Sequence, residues 1–383
     1  LNLYKVDAMM PVMEGARKAL RALGRPLAAA CLLCVTGAAA AGQLPADLGA
    51  RLAHGYIEPA MLRFQHSAER LHASLQGWCA TPATADAAEV QADFGGLIEA
   101  WSGIEFLRFG PLVAANRYER IYFWPDPRGI TLRQVQGMLA QSNQPIPDAA
   151  GLAKQSVALQ GLPALEYVLY RKDGLLAPAN AQADAGREND ARACAYAVAI
   201  AGNLAAVGDE LGKEWAADGD YARQFAAPSS TNALYRNQQE VAGEAIKALS
   251  TGLQFARDVK LVPMLAADMK AARSSKAPFW RSGLSTRAMG AALEGMRQFY
   301  TAGSYIYTGD EAWVDGSIQH EMAQARDVLL AMHDKLDNLL GTEDGYRRFT
   351  LVSLILKNAK GMVDEHMAPA FGVRIGFNAL DGD

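Results

Sequence analysis

"ACAYAVAIAGNLAAVGDELGKEW", residues 193–215, decides the kind of fold this chain adopts. Ala193, Ala197, Ile200, Leu204, Val207, Leu211 and Trp215 recur every three or four residues, the spacing that lines one face of an α-helix. The run is too long for a strand. The same period returns in Ala60, Phe64, Ala68, Leu71, Leu75 and Trp78, and again in Val352, Ile355, Leu356, Ala359, Met362 and Val363. Another long stripe joins Ile318, Met322, Ala325, Leu329, Met332, Leu336 and Leu340, and no hairpin signal separates these segments. The periodicity predicts an all-α fold of eight or nine helices. Small, polar or proline-bearing stretches at 80–88, 123–129, 142–151, 172–188, 218–231 and 271–283 read as the connections. Long helices with modest loops pack as up-and-down bundles, so the expected architecture is two fused bundles, 42–217 and 218–383.

Half of the 383 residues are hydrophobic, enough for a large core, and nothing in the composition points to disorder. A net charge of -4, with Lys and Arg spread along the chain, leaves no basic footprint for nucleic acid. The first 41 residues read as a targeting segment. Arg17, Lys18, Arg21 and Arg25 precede the apolar run "PLAAACLLCVTGAAAAG", and Ala39 to Ala41 supply the small residues of a cleavage site before Gly42. Residue 1 is leucine, so the opening residues read as an upstream extension with initiation at Met9, Met10 or Met13. The apolar run is shorter than the roughly 20 residues of a membrane span, which argues against a transmembrane anchor. Cys31 after "LAAA" offers a lipid anchor as the alternative to cleavage. Removal of the leader leaves Cys79 and Cys194, an even pair expected to be bonded in an oxidising compartment.

The chemistry-bearing residues sit in unusual places. In "QGLPALEYVLY", 160–170, a helix would put Pro163 and Glu166 on one face beside Leu162, Leu165 and Leu169. A carboxylate so placed needs a donor, a cation or a proton. In "WSGIEFLRFGPL" a helix would align Trp101, Ile104, Glu105 and Arg108, with Arg108 one turn from Glu105 and able to pair with it. Asp126 stands between two prolines in "WPDP", a position open to a loop or capping role, and Thr131 with Gln134 reads as a capping box opening the next helix.

The histidines offer less. His66 and Glu69 read HxxE off the apolar stripe, a solvated pair. "HEMAQ" at 320–324 lacks the second histidine of a zinc-protease motif, and His333 and His366 read as structural. In "WRSGLS", 280–285, Ser282 or Ser285 suits a helix cap, while Arg281 and Ser282 are also candidates to line a pocket. There is no nucleophile elbow, phosphate loop or dinucleotide fingerprint.

Together, "WSGIEFLRFGPL", "ERIYFWPDPRG", "QGLPALEYVLY" and the terminal "FGVRIGFNALDGD" resemble the imelysin family of exported helical proteins. The resemblance implies two fused helical bundles with a site near their junction, periplasmic or outer-membrane residence and a link to iron-uptake components. It also brings the family's older description as insulin-cleaving metallopeptidases. The family's GxHxxE signature falls on Gly161, Pro163 and Glu166, with proline where the histidine belongs. Proline offers no ligand atom, so Glu166 carries over and a His/Glu metal pair does not.

The leading expectation is a non-catalytic periplasmic protein of iron uptake. Glu105, Asp126 and Glu166 would supply hard oxygens to iron or another divalent metal, and Arg108 would orient or neutralise them. A metallopeptidase, or an acid-lined pocket for an organic or polysaccharide ligand, are the alternatives. Intact-mass measurement of periplasmic material should show a chain starting close to Gly42; retention of Leu1 or Met13 would refute the leader assignment.

Overall fold

The computed structural model describes residues 42–81, 87–176 and 187–376; the expected targeting segment at 1–41 and "FNALDGD" at 377–383 lie outside them. In the first half, α1 (Leu48–Leu52) leads into α2 (Glu58–Ala80) and α3 (Ala87–Ile104). Three shorter helices follow, α4 (Arg117–Ile121), α5 (Ile130–Ala140) and α6 (Ala149–Leu152), then α7 (Gly161–Tyr170) and α8 (Arg187–Trp215). The second half runs through α9 (Asp220–Ala226), α10 (Gln238–Gln254), α11 (Val262–Leu265) and α12 (Ser285–Gly303). It ends with α13 (Val314–Leu330), α14 (Leu336–Gly341), α15 (Glu343–Met362) and α16 (Ala368–Ala370). Nine of these have ten or more residues, which fits the expected all-α fold. Two strands of two residues each, Gly42–Gln43 and Ile306–Tyr307, pair antiparallel and tie the start of the described chain to the region after α12.

The quoted stretch forms the C-terminal part of α8. Its whole apolar stripe, from Ala193 through Ile200 and Leu204 to Trp215, is buried. By length and hydropathy Ala191–Trp215 could also cross a membrane, but most of it is enclosed by protein, the setting of a core helix. α8 packs along α2, α2 along α3, α3 against α12, α12 along α13, and α13 along α15. Close approach of α2 and α8 depends on Gly208, where a Cβ would lie 2.8 Å from the Gln65 Cα.

One expected stripe is divided. α13 ends at Leu330, and α14 starts only at Leu336. Between them the Asp334 carboxylate accepts from the Lys335 N–H and from Asn338 Nδ2, which starts a new helix on a new axis.

Three π-helical segments share a cause visible in the sequence. Ala53–Ile57, Phe255–Leu261 and Val363–Met367 are each followed, two residues on, by Pro59, Pro263 and Pro369. A proline inside a helix lacks the N–H donor, and its ring presses on the carbonyl four residues back. A wider turn just before it gives the ring room, so the helical path continues instead of breaking.

Cys79, near the end of α2, is bonded to Cys194 in α8, 115 residues later in the chain. The bridge fixes two neighbouring core helices at one end. In the chain-entropy view, closing a loop of that length is worth up to about 4–5 kcal/mol. Reduction should therefore lower the melting temperature by several degrees, read by circular dichroism. Two titratable thiols in the unfolded, unreduced protein would contradict the bridge.

Candidate functional site

α7 is placed by a buried polar network at its start. Gln160 donates to the carbonyls of Ala153 and Gln155, and its Oε1 accepts from Asn203 Nδ2 at 2.8 Å. Asn203, a buried amide on α8's apolar face, accepts from Arg120 in turn, and the Tyr196 hydroxyl donates to the Leu159 carbonyl. Gly161 then begins the helix at φ +77°, and a Cβ there would lie 2.3 Å from the Ile121 carbonyl oxygen. Only glycine fits both the angle and the contact. The first turn of α7 is thus pressed against the end of α4, which brings Tyr122 beside it. Pro163 occupies that first turn, where a missing N–H costs little.

Glu166 projects from α7 into a recess of about 210 Å³ whose walls come from both halves of the sequence. Tyr122, Trp124, Tyr167, Phe279 and Trp280 give it an aromatic lining; Pro163, Asp126, Thr131 and Arg281 complete the side relevant to chemistry. Glu166 Oε1 accepts from the Ser282 N–H at 2.9 Å and from the Ser282 hydroxyl at 2.8 Å. Burial pushes the Glu166 carboxyl above the usual range; the Ser282 donors and the nearby Arg281 charge oppose this without overcoming it. Glu166 Oε2 makes no hydrogen bond among the described residues.

The segment that supplies Ser282 is held in a strained turn. Phe279, buried and bulky, has φ +51°, a region such residues rarely occupy and one that costs of order 1–3 kcal/mol. Ser285 donates to the Pro278 carbonyl and Leu284 to the Phe279 carbonyl, and these bonds keep the turn closed. Neither serine caps α12, because their hydroxyls serve this turn and Glu166 instead. Arg281 stacks on Trp280, with 4.4 Å from guanidinium carbon to ring centre, and lies 5.4 Å from Tyr167.

Asp126 lines the recess, but both its oxygens are engaged. They accept from the N–H groups of Ile130 and Thr131 at 2.9 and 2.7 Å and so cap α5. The expected Thr131–Gln134 capping box does not form. The helix starts at Ile130, so Thr131 lies within it, and its buried hydroxyl and Gln134 Oε1 are left without partners.

Glu105 and Arg108 do not share a helical face, because α3 ends at Ile104 and the chain turns before Gly110. Glu105 pairs instead with Lys260, which the sequence reading passed over; both are buried. Lys260 sits in the π-helical stretch before Pro263, and its only sequence signal is a lone charge in "VKLVPML". Its burial favours the neutral amine, and Glu105 opposes that shift. Arg108 stacks on Tyr118 and Phe255, at 4.2 and 4.0 Å, and donates to the Tyr118 hydroxyl. The Tyr122 ring adjoins both groups: it lines the recess and lies 5.5 Å from Lys260 Nζ.

No three His, Cys, Asp or Glu side chains come together as a metal set among the described residues. Glu166 and Asp126 share the recess, while Glu105 is tied to Lys260. The histidines lie elsewhere: His66, His320 and His333 are exposed, the last against expectation, and His366 is 3.1 Å from Glu311.

The buried pair gives a direct test. Lys260→Met should cost about 3–5 kcal/mol in urea unfolding, because Glu105 is left charged and enclosed, while adding Glu105→Leu should restore most of that loss. Equal losses in the single and double variants would show that the two charges do not depend on each other.

The fold is found in other proteins. An imelysin-like protein from Psychrobacter arcticum 273-4 superposes with a TM-score of 0.68 at 22% identity, covering 88% of this chain and 99% of its own. A protein from Parabacteroides distasonis ATCC 8503, assigned as an iron-regulated protein A precursor, superposes with a TM-score of 0.61 at 13% identity, covering 83% and 95%. Among curated proteins none matches. The family model described as Imelysin, peptidase M75, matches residues 57–356, well over half the chain, and the protein therefore belongs to the imelysin family.

Proposed function

We propose that this imelysin-family protein is a non-catalytic binding protein, exported to the periplasm and acting in iron uptake, and that the Glu166 recess receives its ligand. The observation that carries the reading is the pairing of Glu166, half-satisfied by Ser282, with a guanidinium that has no carboxylate within salt-bridge distance among the described residues, both at one aromatic-lined recess. Such convergence of perturbed acid and free cation in a concave site is how small-molecule sites are built. The fold shared with the iron-regulated P. distasonis protein supports the link to iron.

A bare ion held by protein atoms fits poorly. Asp126 and Glu105 are committed to other partners, Pro163 offers no donor, and Glu166 contributes a single free oxygen. A ligand that brings its own iron-binding atoms fits better. The Ser282 hydroxyl is shared between Glu166 and the Phe279 carbonyl and sits on no nucleophile elbow, which favours binding over hydrolysis.

Glu166→Gln separates this reading from a structural role. A buried acid whose folded pKa is raised favours folding below its unfolded pKa and opposes it as pH rises through the folded value. At neutral pH the glutamine variant should be as stable as the parent or more so, with the advantage fading as pH falls toward the ordinary glutamate range. It should also lose the thermal shift produced by ferric citrate, which at a hundred times its dissociation constant would be about 2.7 kcal/mol for the parent. A variant that is destabilised yet still shifted would overturn the proposal. Pro163→His should raise divalent-metal affinity, measured by titration calorimetry.

A further inference from the structure

The recess also specifies what kind of molecule it takes. A cavity of about 150 Å³ lined with apolar groups accommodates benzene, so the 210 Å³ here suits one six-membered ring with a few substituents. The walls suit a ring, since Trp124, Trp280 and Tyr167 are among the lining residues. Arg281 is already oriented by stacking, its charge unspent on any carboxylate within salt-bridge distance among the described residues. A guanidinium held in this way is pre-organised for a planar carboxylate. Hydroxyl chemistry is provided by three further groups. Glu166 Oε2 makes no hydrogen bond among the described residues, and two lining residues, Tyr122 and Thr131, keep buried hydroxyls without partners. Buried hydroxyls such as those of Tyr122 and Thr131 are normally satisfied, and a hydroxylated ligand settling against them would do so.

We propose that the recess binds a single-ring aromatic carboxylate bearing hydroxyl groups. Its ring lies against the aromatic wall, its carboxylate on Arg281 and a hydroxyl on Glu166. The inference rests on reading the recess as the ligand site. Adjacent hydroxyls on such a ring are themselves oxygen donors for iron, so the metal can arrive on the ligand.

The test is titration calorimetry of the full mature chain with a vicinal dihydroxybenzoate, benzoate, cyclohexanecarboxylate, citrate, ferric citrate and inorganic phosphate, with tryptophan fluorescence as a second readout. The dihydroxybenzoate should bind one-to-one and quench Trp280 or Trp124 emission, with benzoate weaker and cyclohexanecarboxylate weaker still. Arg281→Gln should lose at least about tenfold in affinity, and Arg281→Lys less, as a charge without the planar fork. Both variants should stay folded, with a melting temperature lowered by no more than a few degrees, because Arg281 makes stacking contacts but no ion pair among the described residues. Citrate or phosphate binding as tightly as the dihydroxybenzoate, or an Arg281→Gln affinity within about twofold of the parent, would overturn the ligand class. If ferric citrate binds and Glu166→Gln abolishes it while no ring compound binds, the ligand class is wrong and the recess remains the binding site. If no probe binds at all, both inferences fall.

Discussion

Two charges without access to water, Glu105 and Lys260, meet between the halves of this chain, and the arrangement of the site follows from that constraint. Taking each from water costs several kcal/mol, which only a close partner offsets. Glu105 follows directly on α3, in the first half of the sequence, and Lys260 sits in the π-helical continuation of α10, in the second. Neither can be buried unless these elements come together, so the pair selects one register between them. Such a pair is weak evidence for added stability and better understood as specifying a unique packing. Tyr122, close to Lys260 on one side, forms the wall of the recess on the other.

The recess repeats the same logic with hydrogen-bond donors in place of a buried cation. Glu166 from α7 reaches across to the backbone and hydroxyl of Ser282, again joining the two halves, but only one of its oxygens is used. The turn that presents Ser282 contains Phe279 in a left-handed conformation, and such strain persists only where surrounding contacts enforce it. Strained backbone, a carboxyl with a raised pKa and a stacked arginine that has no ion pair among the described residues thus coincide at one place.

Proline at position 163 fits this picture. It begins α7 without demanding a donor, and its ring is part of the recess lining. A histidine there would offer a nitrogen to a metal beside Glu166; proline instead leaves an apolar surface next to the aromatic wall. Within the imelysin fold, this recess brings together aromatic rings, one guanidinium and hydrogen-bonding groups.

Much of the architecture was legible in the sequence because it depends on local periodicity. The stripe from Ala193 to Trp215 had to be a buried helix, and Gly161, Pro163 and Glu166 already marked α7 as unusual. The cysteine pair also followed from parity and the expected compartment. What the sequence by itself could not determine is what depends on partners distant along the chain. Extending α3 through Arg108 was reasonable from spacing alone, yet the chain turns after Ile104, and the partner of Glu105 lies 155 residues away. Asp126, locally a loop or capping residue, was also a candidate ligand; the way the chain closes on Ile130 and Thr131 made it a cap. Periodicity records which face of a helix turns inward, whereas the identity of the group met there is fixed only when separate elements pack. That is why the sequence determined the helices, and tertiary structure alone decided which buried charges are neutralised and which remain available to a ligand.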